Sequence, residues 1–148
     1  MRALILADIH SNLEALEAVI EDAENRGGFD IIWCLGDTVG YGPDPGPCLE
    51  LLRRHDLLAV AGNHDCAAVG KMGMEQFNYA AKAAAHFTAN QLSAEESEFL
   101  AGLPLVLLAE PFTLVHGTLR DPLMEYLLDQ EAALGTLEML TTRCCLVG

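Results

Sequence analysis

The sequence predicts an α/β fold in a single domain, and three observations carry that prediction. Short apolar runs of strand type alternate with segments whose apolar residues recur every three or four positions. The chain has 148 residues, the usual size of one domain, with no internal repeat and no Ser/Pro-rich linker. Hydrophobic residues make up 51% and charged residues 20%, enough to fill one core and too apolar for a disordered segment.

Arg2 to Ala7 is an apolar run that reads as a strand buried on both faces. Leu13, Leu16, Val19, Ile20 and Ala23 then recur at helical spacing, with Ser11 or Asn12 as cap and Gly27-Gly28 as terminator. Asp30 to Leu35 (DIIWCL) reads as the second strand. Gly36 to Pro47 is a Gly/Pro-rich loop, and Pro47 suits the first turn of a short helix through Arg54. Leu57 to Ala61 is a third strand, followed by a polar, Gly-dotted segment. Glu75 to Gln91 is an Ala-rich helix, and Ser93 with Glu96 forms a capping box for another. Leu105 to Leu108 and Phe112 to Val115 flank Ala-Glu-Pro as a hairpin. Met124 to Leu128 and Glu131 to Leu140 read as helices, and Thr141 to Val147 as a last strand.

Eight basic residues against 22 acidic ones give a formal charge of −14, which repels nucleic-acid backbones and anionic membranes. Only Arg53 and Arg54 adjoin, so there is no basic stripe to grip bulk nucleic acid. Small phosphates remain accessible if bound cations reverse the local field. Apolar stretches such as Leu103 to Ala109 are too short or too broken to cross a membrane. MRALILAD lacks the form of a signal peptide, and the five cysteines have no zinc or redox spacing. Buried free thiols of a cytoplasmic protein are the expectation.

Four polar clusters stand at the downstream ends of predicted strands: Asp8-Ile9-His10, Gly36-Asp37, Gly62-Asn63-His64-Asp65 and His116-Gly117. In an open α/β sheet, ligands bind beyond the carboxyl ends of the strands, where these clusters converge. Asp and His donors suit divalent Mn, Fe, Zn, Ni or Co. Asp37 can bridge two such cations roughly 3.5–4 Å apart, and Gly36 allows close backbone approach. A pair of cations clamps a phosphate and turns bound water into hydroxide near neutral pH. His64 is then free to protonate a leaving alkoxide, with Asp65 orienting its imidazole. Without metal, Asp8 and Asp37 raise each other's pKa. Each cluster alone has a plainer reading: Asp8 as helix cap, Gly36-Asp37 as turn, Asn63 as left-handed turn residue, His116 as core histidine. Arg120 either binds a phosphate oxygen or pairs with Asp121 or Glu125. Tyr41 and Asp44 either shape a pocket or belong to a rigid turn. No Gly-x-Gly-x-x-Gly or P-loop follows the first strand, which argues against a plain nucleotide-binding domain.

Asp8-x-His10, Gly36-Asp37, Gly62-Asn63-His64-Asp65 and His116-Gly117, in this order, resemble the calcineurin-like metallophosphoesterase family. MRALILADIHSN, GDTVGYGPDP and HGTLRDP resemble its compact bacterial phosphodiesterase/phosphatase branch. The resemblance implies a layered β-sandwich flanked by helices and two divalent metal ions. Asp8, His10 and Asp37 would hold the first, and Asp37, Asn63 and His116 the second, with His64 as catalytic acid held by Asp65. It implies hydrolysis of a small phosphate mono- or diester by metal-bound hydroxide. The family's last motif, Gly-His-x-His after a strand, is absent, because CLVG ends at Gly148 where that Gly would stand. The expectation is one metallophosphoesterase domain over 1–148 without its final strands and last metal motif, with impaired activity and an open apolar edge. A non-catalytic interaction module on the same fold is the alternative reading, favoured by the missing histidines and opposed by the intact Asp8, His10, Asp37, Asn63, His64 and Asp65.

Overall fold

The computed structural model describes residues 1–148. Six strands and six helices follow in the order β1 (Ala3–Leu6), α1 (Leu13–Asn25), β2 (Ile31–Cys34), α2 (Pro45–Arg53), β3 (Leu57–Ala59), α3 (Asn63–Ala68), α4 (Tyr79–Gln91), α5 (Ala94–Gly102), β4 (Val106–Ala109), β5 (Phe112–Val115), α6 (Gln130–Met139) and β6 (Cys144–Val147).

Local chemistry sets most boundaries. Asn12, rather than Ser11, caps α1 by accepting the Ala15 N–H at 3.1 Å. Asn78 accepts the Ala81 N–H at 2.9 Å, so α4 begins there and not at Glu75. Ser93 and Glu96 form the expected capping box of α5, at 3.2 and 2.7 Å.

Two expectations fail. Met124 to Leu128 is not a helix: Asp121 Oδ1 accepts the N–H groups of Leu123 and Met124 at 3.2 and 3.1 Å, fixing one turn, and the chain then runs on irregularly until α6. Five residues cannot offset the cost of nucleating a helix without packing support. Conversely, α3 forms in the segment read only as polar, with all six of its residues buried.

β1, β2 and β3 form a parallel sheet in that order, in the register Ile5 opposite Trp33 and Trp33 opposite Leu58. The second sheet runs β4-β5-β6, with β4 antiparallel and β6 parallel to β5. Alternation along β2 divides the core. Ile32 points to Leu16, Ile20, Cys48 and Leu52 of α1 and α2, while Trp33 points to Leu114 of the second sheet, with Phe112 against its ring at 5.5 Å. The molecule is therefore a helix layer, a sheet and a second sheet, the latter two forming the sandwich, with α3, α4 and α5 packed at one end. β1 is an edge strand and not buried on both faces, as Ile5 at 48% exposure shows. β6 is likewise paired on one side only. All five cysteines are free; Cys34, Cys48 and Cys66 are buried, Cys145 is half-buried, and Cys144 is exposed, contrary to expectation. No helix is long and apolar enough to cross a membrane.

Candidate metal centre

The four polar clusters meet at the downstream ends of β1, β2, β3 and β5. The loops after β1 and β2 are stitched together by backbone bonds, Asp8 N–H to Gly36 O at 3.1 Å and His10 N–H to Asp37 O at 3.0 Å. Asp8, His10 and Asp37 adopt left-handed backbone, with φ of 53°, 50° and 53°. Asp and His tolerate that region better than most side chains, and such strain gathers at functional sites. Gly36 is also required: a Cβ there would stand 2.8 Å from Gly62 N and 2.9 Å from His116 Cγ.

Asp8, His10, Asp37, Asn63, His64 and His116 all line one cavity of about 220 Å³. The imidazole Nδ1–H of His10 donates to the Val39 carbonyl at 3.1 Å, and that of His116 to the Leu35 carbonyl at 2.9 Å. A carbonyl only accepts, so each ring turns a bare Nε2 inward. Those Nε2 atoms lie 3.7 and 3.5 Å from Asp37 Oδ2, and His10 Nε2 lies 3.7 Å from Asp8 Oδ1. One ligand atom each from Asp8, Asp37 and His116 lies within 4.8 Å of the others. Lone pairs facing a carboxylate at these separations fit a divalent cation between them. Asp37 Oδ1 accepts the His64 backbone N–H at 2.9 Å, leaving Oδ2 as the oxygen between the two histidines. Asn63 sits at the start of α3, its Oδ1 accepting from His64 N–H at 3.0 Å and its amide nitrogen 3.7 Å from Met124 Sδ.

Burial governs the electrostatics. Asp37 is pushed up to about 8, by desolvation first, then by the charge of Asp65, with Asp8 adding to it. His64 is pushed down to about 4, again by burial first and then by His10 and His116. Its ring packs 4.6 Å from Tyr41, 4.7 Å from Phe77 and 4.9 Å from His10, and its Nδ1 is buried without a partner.

Two expected contacts are absent. Asp65 does not orient the His64 imidazole: its carboxylate accepts the Gly62 and Val39 N–H groups, each at 3.0 Å, tying α3 to the loop after β2. Consecutive helical residues point about 100° apart, so sequence adjacency does not bring their side chains together. Arg120 does not line the cavity; its guanidinium is held by Glu125, at 3.0 Å from Nε, and by Glu131 at 3.6 Å. The pairing with Glu125 left open above is the one formed. Met124 and Tyr126 line the cavity unforeseen, since neither belongs to a motif and both are brought in by the irregular segment before α6.

The model of the family described as calcineurin-like phosphoesterase matches residues 1–141. The chain belongs to the calcineurin-like phosphoesterase family. An uncharacterised protein of Methanocaldococcus jannaschii is 46% identical over 103 residues, 70% of this chain and 42% of that protein. A symmetrical bis(5'-nucleosyl)-tetraphosphatase of Psychromonas ingrahamii is 37% identical over 70 residues, 44% of this chain and 24% of that one. The crystal structure of a metallophosphoesterase from Sphaerobacter thermophilus superposes with a TM-score of 0.86 at 43% identity, over 100% of this chain and 60% of that one. This calcineurin-like phosphoesterase chain thus spans about two fifths of the first curated relative's length. Its layered α/β sandwich agrees with the fold that the motifs imply.

Proposed function

We propose that this chain carries the centre of a metal-dependent phosphoesterase that hydrolyses a small phosphate mono- or diester. The observation that carries the reading is Asp37 Oδ2 set between the inward Nε2 atoms of His10 and His116. Asp8, His10 and Asp37 would hold one divalent cation, and Asp37, Asn63 and His116 a second, drawn from Mn, Fe, Zn, Ni or Co. When bound, the cations supply positive charge to phosphoryl oxygens and lower the pKa of a water. Asp37 and His116 are both buried, so their donor atoms are held from within the fold, while His10 and Asp8 stand on the more open side of the site. His64 lies on the same cavity, and its uncharged ring donates a hydrogen bond to the leaving oxygen. Asp65 acts as a positioning residue for the α3 N-terminus, and Arg120 has no part in substrate binding. The net charge of −14 favours small substrates over bulk nucleic acid, and the unpaired thiols favour a cytoplasmic setting.

We read residues 1–148 as one metallophosphoesterase domain.

Metal analysis together with hydrolysis of an aryl phosphate and its diester in Mn²⁺ tests the reading. Asp37→Asn is expected to lose both metal and activity. His64→Ala is expected to keep its metal and lose about 100-fold or more in rate. Equal metal loss in both would remove the distinction between ligand and acid. Stoichiometric metal with no turnover would favour the interaction module.

A further inference from the structure

A second cavity, of about 240 Å³, opens beside the metal centre and shares Asn63, His64, Tyr41, Met124 and Tyr126 with it. Its lining differs in kind. No Lys, Arg, Asp or Glu reaches it, so it fits neither a second phosphate nor a cation. Its wall is aromatic: the Phe77 ring is tilted 30° from the His64 imidazole at 4.7 Å, and the Tyr41 ring packs on His64 at 4.6 Å. Tyr41 and Tyr126 line it while 51% and 66% exposed, two rings left in water at one opening. Gln76 and Asn78 bring amides to it; the Asn78 oxygen is taken by Ala81 N–H, which leaves its NH₂ as a donor. Flat apolar surfaces with a few amide groups and no charge suit a planar, neutral ring that has hydrogen-bonding edges.

We propose that this cavity takes the heteroaromatic base of a nucleoside phosphate whose ester lies at the metal centre, with Tyr126 as a residue that determines specificity. The position of the phosphate rests on the phosphoesterase reading; the base site rests on the cavity alone. Tyr126 offers its face as a stacking platform, and the Met124 thioether is a polarisable neighbour. The base stands beside His64, on the side of the centre where the leaving oxygen is expected.

The two readings separate in experiment. In chelator, where no phosphate chemistry takes place, adenosine is expected to shift the amide NMR signals of Gln76, Phe77 and Tyr126, and ribose at the same concentration is not. Tyr126→Ala is expected to weaken adenosine about tenfold, while Tyr126→Phe, which keeps the ring, holds it within about twofold. Equal shifts from ribose, no shifts from adenosine, or undiminished affinity in Tyr126→Ala would each overturn the base site. With Mn²⁺ added, the preference for adenosine monophosphate over methyl phosphate in kcat/KM is expected to fall about tenfold in Tyr126→Ala. Adenosine binding without any hydrolysis upholds the base site and sinks the phosphoesterase reading. Hydrolysis of both esters at equal kcat/KM does the reverse.

Discussion

Gly62→Ala tests whether the position of Asp37 is enforced by contact between α3 and the loop after β2. The backbone of Gly62 is extended (φ −96°, ψ 176°), which any residue adopts, so no conformational penalty arises. The penalty is steric. A Cβ at Gly62 would lie 2.0 Å from Asp37 Oδ1, 2.4 Å from Asp37 N and 2.7 Å from Asp37 Cγ, where ordinary contact begins at 3.4 Å. Turning the carboxylate aside would break its 2.9 Å bond from His64 N–H and take Oδ2 from between His10 and His116. It would not help the backbone nitrogen, which is fixed in a loop stitched to the one after β1. Overpacking of this kind costs about 1–3 kcal/mol, and a lost hydrogen bond about 0.5–1.5. The expected loss is about 3 kcal/mol, or a fall in Tm of about 6–12 °C for a chain of this size. Urea unfolding at unchanged m measures it, and Mn²⁺ titration of Tm measures the loss of cation binding. Gly102→Ala is the control of opposite sign: nothing lies within 4 Å of its Cβ position at the end of α5, so it should gain about 0.5–1 kcal/mol. A Gly62→Ala chain with wild-type midpoint and wild-type Mn²⁺ response would refute the reasoning.

Asp37→Asn should make the metal-free chain more stable while abolishing stabilisation by Mn²⁺, which thermal scans in chelator and in metal distinguish. Asp37 titrates near 8 in the fold against 3.8 unfolded. The folded state therefore holds its proton more tightly, and wild-type stability falls as pH rises through that window. The Asn variant lacks that slope, so its advantage is absent at low pH and largest near pH 8; an advantage that shrank with rising pH would contradict the burial argument. Asp65→Ala leaves the buried Gly62 and Val39 amides without an acceptor. The cost is about 1–3 kcal/mol for each, read from the urea midpoint, and an unchanged midpoint would mean Asp65 ties nothing together. Arg120→Ala should leave Mn²⁺-dependent hydrolysis and the affinity for inorganic phosphate as they are, because Glu125 and Glu131 already hold the guanidinium. A tenfold weakening of phosphate would return Arg120 to the site.

The strands were legible because apolar runs such as DIIWCL must be buried, and the polar residues that interrupt them mark the strand ends where ligands bind. That is why Asp8, His10, Asp37, Asn63, His64 and His116 were found in the sequence and stand around one cavity in the fold. The sequence was silent where tertiary contact decides. NHDCAA has no helical periodicity, and α3 forms because Asp65 takes the Gly62 N–H at its start and the surrounding chain buries every residue in it. An apolar run such as ALIL does not say whether its strand is central or at an edge, and β1 lies at the edge. Tyr126 stands 62 positions beyond His64 in the chain, outside any motif, and only the turn fixed by Asp121 carries the chain there.

All five non-glycine residues with left-handed backbone, Asp8, His10, Ser11, Asp37 and Tyr41, lie in the loops after β1 and β2. Each such residue costs about 1–3 kcal/mol and persists only because the surroundings impose it. The buried Asp37 carboxylate and the unpartnered His64 Nδ1 add further cost in the same place. Carboxylates kept only to cap helices would show none of this, because a cap is exposed and relaxed, as Asn12 and Asp129 are on α1 and α6. Here the strain holds donors from separate strands at fixed separations before any ligand arrives. A ligand that binds the folded state and neutralises Asp37 then returns part of that free energy as stability. The destabilising features and the proposed chemistry therefore share one physical origin, which is why Mn²⁺ should raise Tm in the wild-type chain and not in Asp37→Asn.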